Sequence, residues 1–158
     1  MKQQFKIISG GQTGVDRAAL EWAMANRIPH GGWCPKGRKA EDGVIPPRFH
    51  LKETGSENYS MRTRRNVRDS GGTVIFSKEL GLTAGTQETA DVAKEIDKPL
   101  LHLISSLEVK EAARRLDIFL KDHGIVVLNV AGPRASEEPD TGEFIQAVLS
   151  LALKPFIQ

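Results

Sequence analysis

Short apolar runs alternate along this chain with longer stretches in which apolar residues recur every third or fourth position. Phe5–Ser9 (FKIIS) reads as a strand that stops at Gly10 and Gly11. From Val15 to Asn26, the residues Val15, Ala18, Ala19, Trp22 and Ala23 form one helical stripe. Ile28–Trp33 is a weaker second strand, interrupted by Pro29, Gly31 and Gly32. Cys34–Glu57 is polar and carries Gly37, Gly43, Pro46, Pro47 and Gly55, so it reads as a long loop of the functional or disordered kind. Asn58–Ser70 permits a helix with an arginine-rich face, and Thr73–Ser77 (TVIFS) is a strand of the buried type. The second half is more regular. A helix is expected over Thr86–Asp97, a strand over Pro99–Ile104, and a strongly amphipathic helix over Leu107–Asp122, with Gly124 at its C-cap. Ile125–Val130 (IVVLNV) has the continuous apolarity of a strand covered on both faces, and a last helix runs from Gly142 to Ala152. Strands alternating with helices predict an α/β fold: one doubly wound, Rossmann-like domain over residues 1–158, with a mostly parallel sheet of about five strands. Neither an internal repeat nor an inter-domain linker is visible.

Three strand ends run into loops rich in glycine and hydroxyl groups, where open α/β sheets bind ligands. They are Ser9–Gly14 (SGGQTG), Gly81–Thr86 (GLTAGT) and Asn129–Arg134 (NVAGPR). Glycine lets backbone approach a ligand without a Cβ, and the first-turn amides of the following helix attract an anion. Thr13 and Thr86 can cap a helix or offer a hydroxyl to a phosphate oxygen. The first loop is neither a Walker P-loop nor GxGxxG. Asp16, near the start of its helix, suits the helix dipole, but facing a bare oxyanion it would repel it. A functional Asp16 therefore implies a ligand with N–H or hydroxyl donors beside its phosphate, or a bridging metal.

Charge sharpens this picture. The chain has 22 basic and 20 acidic residues, yet Lys36–Arg68 alone is net +5. A basic segment on a mildly acidic body suits an anionic ligand, and a solvated surface is the plainer alternative. Arg62 and Arg65 share one helical face and form a candidate anion clamp. The single cysteine, Cys34, excludes an internal disulfide and every multi-cysteine metal pattern. It remains a candidate metal ligand or reactive thiol beside Lys36 and Arg38, or simply a small buried residue. The four histidines form no i, i+4 ligand pair and read as structural. Trp33 could stack on a flat heterocycle or serve the core. With no signal-peptide pattern and no membrane-length apolar run, a reduced, cytoplasmic protein is expected.

Five segments, Gly10–Leu20, Gly31–Gly43, Tyr59–Asp69, Leu82–Thr89 and Leu128–Ser136, together resemble the molybdenum carrier family, also described as circularly permuted YpsA-like. The likeness spans essentially the whole chain. It implies a place in the Rossmann-like superfamily of the lysine-decarboxylase-like and Lonely Guy phosphoribohydrolases and DprA. It also implies a homo-oligomer that binds molybdenum cofactor or a related pterin or nucleotide. By motif, the residues matched are Gly10, Gly11, Gln12, Thr13, Gly14 and Asp16; Cys34, Pro35, Lys36, Gly37 and Arg38; Thr83, Ala84, Gly85 and Thr86; and Gly132, Pro133 and Arg134. One departure matters. Where the phosphoribohydrolases carry a catalytic glutamate this chain has Thr89, and Glu88 lies about 100° away around the helix.

The expected function is therefore a carrier or sensor for an anionic small molecule. Its phosphate is expected on the helix N-termini, with Gly10–Gly14, Asp16, Lys36, Arg38, Arg62, Arg65, Thr83, Gly85, Thr86, Gly132 and Arg134 around it. A nucleoside-monophosphate hydrolase using Glu88 or Asp16 is the alternative. Single-stranded nucleic-acid binding is a third, thinly supported because only Phe49 and Tyr59 lie as aromatic stacking groups within the basic Lys36–Arg68 run, although Trp33 sits just before it.

Overall fold

Every central strand carries its neighbour's chain in the same direction. The computed structural model describes residues 4–157. In chain order its elements are β1 (Lys6–Ile8), α1 (Val15–Ala25), β2 (His30–Gly31), β3 (Trp33–Cys34), β4 (Lys39–Ala40), β5 (Gly43–Val44), β6 (Lys52–Glu53), α2 (Tyr59–Arg68) and β7 (Gly72–Ser77). Then follow α3 (Ala84–Glu95), β8 (Leu100–Ile104), α4 (Val109–His123), β9 (Val127–Ala131), α5 (Gly142–Ala152) and a short 3-10 turn, Lys154–Phe156. The five-stranded sheet has the order β2-β1-β9-β7-β8, and all of its pairings are parallel. The expected architecture and strand number are those observed.

Counted from β7 onward and continued through the chain start, that order becomes 2-1-3-4-5, the doubly wound order of flavodoxin-like sheets. The chain is thus a permuted version of it, cut between α5 and β1. The cut ends meet: Phe156, just past α5, stacks on Phe5, just before β1, with ring centroids 4.7 Å apart.

Helices cover both faces. α1, α5 and α4 pack side by side on one face, and α2 packs on α3 on the other. The larger core lies on the first face, where Ile7, Val74, Phe76, Leu128 and Val130 meet Val15, Trp22, Leu116, Ile145 and Leu149. A smaller cluster of Val67, Val92 and Ala93 joins α2 to α3. Gly124 takes φ 59° and ψ 39°, the left-handed cap expected of it.

Two expectations need revision. Ile28–Trp33 is not one strand: β2 joins the main sheet, while β3 pairs with β6 in a separate parallel ladder. The segment read as a loop is a small folded layer. β4 and β5 form an antiparallel hairpin, and Cys34, Ala40, Ile45 and Phe49 bury against Leu20 of α1. Ladders of two residues are too short to leave a period in the sequence.

Candidate functional site

The loop after β7 turns toward α3 on one face, and the loop after β9 turns toward α5 on the other. Between these strand ends opens a cleft of about 240 Å³, at the switch point of the sheet. Its wall includes Gly10, Gln12 and Asp16 from the first loop and α1, and Tyr59, Arg62, Thr63 and Asn66 from α2. α3 and the turn before it add Thr83, Gly85, Thr86, Glu88 and Thr89; β9 and its loop add Asn129, Gly132, Arg134 and Glu137.

The N-terminus of α3 is open. Thr83 precedes the helix but makes no side-chain cap, and its hydroxyl donates to Thr86 Oγ1 at 3.1 Å. No acidic side chain lies in the first turn, so its amides keep the positive end of the dipole for a ligand. Gly85 lies inside this turn and faces the cleft, and a Cβ there would meet no protein atom within 4 Å. Glycine in a helix costs about 0.5–1 kcal/mol relative to alanine, and nothing in the protein's own packing requires it here. The space a methyl would fill is open.

The first loop is closed by its own groups. Gly14 has φ 81°, and a Cβ on it would meet backbone at 2.6 Å (Pro133) and 2.7 Å (Ala135). The amide of Val15 donates to Pro133 O at 3.4 Å, and that of Gln12 to Asp16 Oδ2 at 3.2 Å. Thr13 turns away from the cleft. Its hydroxyl donates to Glu41 and accepts from the Ala135 amide at 3.1 Å. Glu41 also accepts from the hydroxyl and amide of Ser136, and these bonds with that of Thr13 hold its carboxyl below the ordinary range. Of the two threonines, Thr86 lines the cleft and Thr13 does not.

Gln12 is the exception in that loop. Its Oε1 accepts from the amides of Thr13 (3.1 Å) and Glu41 (2.9 Å), which fixes the orientation of the side-chain amide. Its Nε2 is buried with no hydrogen-bond partner, on a residue that lines the cleft. A buried donor left unmade costs about 1–3 kcal/mol.

Asp16 and Arg62 share the inner wall. The Asp16 carboxyl, on a residue only 6% exposed, has its pKa pushed up to about 6 by burial, against the pull of Arg62 and of the Gln12 and Gly10 amides. Arg62 Nη1 lies 3.7 Å from Asp16 Oδ2 and donates to Gly10 O at 3.1 Å. A Cβ on Gly10 would lie 2.3 Å from that nitrogen, so the close approach of the guanidinium requires glycine. Toward the mouth, the Tyr59 ring has Arg62, Lys39 and Arg134 within 5.1, 5.2 and 5.5 Å of its centroid. Arg134 also pairs with Glu137 at 3.4 Å.

Other candidates fall outside the lining. Arg65 covers the Trp33 ring at 4.6 Å, and the indole donates to Asp69, so these two are engaged with each other rather than with the cleft. Arg38 donates to the carbonyls of Ile45, Pro46 and Phe49 and holds the inserted layer together; Lys36 is exposed. Burial pushes the Cys34 thiol pKa up despite the nearby Arg38, leaving it a packed residue rather than a thiolate. Among the described residues, no group of three or more His, Cys, Asp or Glu is placed to hold a metal ion. Sequence reasoning missed Thr63 and Asn66. Their i+4 spacing, Thr63 from Tyr59 and Asn66 from Arg62, could have flagged them.

The model of the circularly permutated YpsA SLOG family matches residues 7–153. The chain belongs to that family. A solved structure from Syntrophus aciditrophicus SB, named "Putative molybdenum carrier protein", is 43% identical to this SLOG-family chain, covers 95% of each chain, and superposes with a TM-score of 0.91. No curated protein matches. The family's description as permutated agrees with the permuted sheet order. Among the described residues, no helix is long and apolar enough to cross a membrane.

Proposed function

We propose that this chain is a carrier or sensor that holds a phosphorylated small molecule, with the phosphate on the first-turn amides of α3 and Arg134 and Arg62 neutralising it. The observation that carries this reading is the uncapped first turn of α3, with Gly85 giving up helix stability to leave room in front of it. The unpartnered Gln12 Nε2 supports it, since it supplies a donor for a second ligand group. The name of the Syntrophus aciditrophicus neighbour, a molybdenum carrier, supports a molybdenum-related ligand, which this reading takes to be molybdenum cofactor or a related pterin or nucleotide. The donor set fits such a molecule: amides and arginines for a phosphate, Gln12 for a ring acceptor. A cleft of about 240 Å³ is smaller than the roughly 300–1,000 Å³ of complete small-molecule sites. It houses the phosphate end, and the heterocycle extends toward the mouth at Tyr59. This carrier works as a homo-oligomer, whose mass sedimentation measures directly.

Native mass spectrometry of the purified protein, followed by amide NMR titration with AMP and GMP, tests this reading. A co-purified phosphorylated molecule, or nucleotide-induced shifts at Gly85 and Thr86, is expected. Neither signal at millimolar nucleotide would remove the site. A hydrolase is the second reading, favoured by one observation: Glu88 and Asp16 both line the cleft, and Asp16 titrates in the range useful for acid–base chemistry. Sustained release of adenine from AMP would select it.

A further inference from the structure

Resting on the anion-site reading above, we infer that the cleft takes up its anion together with a proton, which settles on the Asp16 carboxylate. The geometry sets the problem. Asp16 is buried in the cleft wall, and the guanidinium of Arg62, 3.7 Å away on α2, lines the same cleft. Held by the Gly10 carbonyl, Arg62 is the cation an entering oxyanion meets at the inner wall. Asp16 and the ligand then compete for one guanidinium in a place with little water, and like charges at such range disfavour ionisation of one partner. Of the two, Asp16 is the group already driven toward its neutral form by burial.

The other charges around Asp16 do not remove the conflict. On its own helix, Arg17 is engaged by Asp42, at 2.8 Å through Nη2. Across the cleft, α3 contributes the acidic Glu88, and the loop after β9 contributes Arg134 already paired with Glu137. The step balances simply. One proton passes from solvent to a carboxylate oxygen of Asp16, no ligand bond breaks, and the complex gains one positive charge relative to uncoupled binding. The neutral acid still accepts the Gln12 amide through one oxygen and presents an O–H through the other. Anion binding therefore strengthens as pH falls, and the bound anion raises the titration midpoint of Asp16 by the same linkage.

Sulfate is the probe, because it stays a dianion from about pH 5 to about pH 8. Carboxyl carbon NMR follows the Asp16 midpoint with and without saturating sulfate, and amide NMR at Gly85 and Thr86 gives the sulfate affinity at each pH. The expected result is a midpoint raised by about one unit and an affinity about sixfold higher at pH ~5.5 than at pH ~7.5, with Asp16→Asn binding independent of pH. Sulfate-responsive amides with an unmoved Asp16 midpoint would overturn the proton coupling and leave the anion site standing. Amides that ignore sulfate at every pH would overturn the anion site itself. Should Asp16→Asn fail to fold, the wild-type midpoint alone decides.

Discussion

The loops that open α1 and α3 are built from the same residue types and end in opposite states. Ser9–Gly14 is largely closed on the protein: Asp16 and the Gln12 side chain take up the Gln12 and Thr13 amides, and Glu41 takes up the threonine hydroxyl, while Gln12 Nε2 is left over. Gly81–Thr86 leaves the first turn of α3 uncapped and puts a bare glycine before the cleft. The contrast shows that a glycine and threonine loop is a construction kit with two uses. In one it mainly binds the protein to itself, and in the other it leaves the backbone donors of a helix end over.

Equivalent substitutions in the two loops should therefore fail differently. The largest effect is expected from Gly14→Ala, because a left-handed φ of 81° and two backbone atoms within 2.7 Å leave no relaxed position for the methyl. A loss of about 3–5 kcal/mol in urea unfolding is expected. Next is the pH response of Asp16. Its folded-state pKa of about 6 lies above the usual 3.8, so its contribution to stability is full below about pH 4 and is lost as pH rises through 6. That amounts to about 3 kcal/mol. Unfolding free energies of wild type measured from pH 4 to 7.5 should show this decline, and Asp16→Asn should lack it. A smaller pair of effects separates the two threonines. Thr86→Ala should weaken nucleotide binding by about 1–3 kcal/mol in calorimetry. Thr13→Ala should instead cost about 1 kcal/mol of stability with affinity unchanged. Smallest is Gly85→Ala, expected to raise stability by about 0.5–1 kcal/mol while reducing nucleotide affinity. Equal affinities for Gly85→Ala and wild type would erase the distinction between the loops.

Much of the fold was legible because its long elements carry strong periods. The stripe of Ala112, Ala113, Leu116, Phe119 and Leu120 on α4 and the apolar run entering β9 are local signals; the stripe lies buried as expected, and in the run Ile125, Leu128 and Val130 are buried while Val126 and Val127 are half-buried. The arginine row of α2 was legible only as a row. Successive side chains rotate by about 100°, so the docking of Val67 against Val92 and Ala93 decides which arginine reaches the cleft. That docking turns Arg62 toward Gly10 and Asp16, and Arg65 toward Trp33. The inserted layer was hidden for a different reason, since its two-residue ladders are defined by partners across space.

By itself, the sequence determined the alternation of strands and helices, the parallel sheet, and the three glycine loops at strand ends, because these follow from spacing within a few residues. Only the tertiary structure decided that β9 lies between β1 and β7, that Thr13 is taken up by Glu41 while the first turn of α3 stays open, and that Asp16 is buried against Arg62. Hydrogen-bond satisfaction and desolvation depend on which distant groups arrive at a site, and no local pattern of residues encodes that arrival.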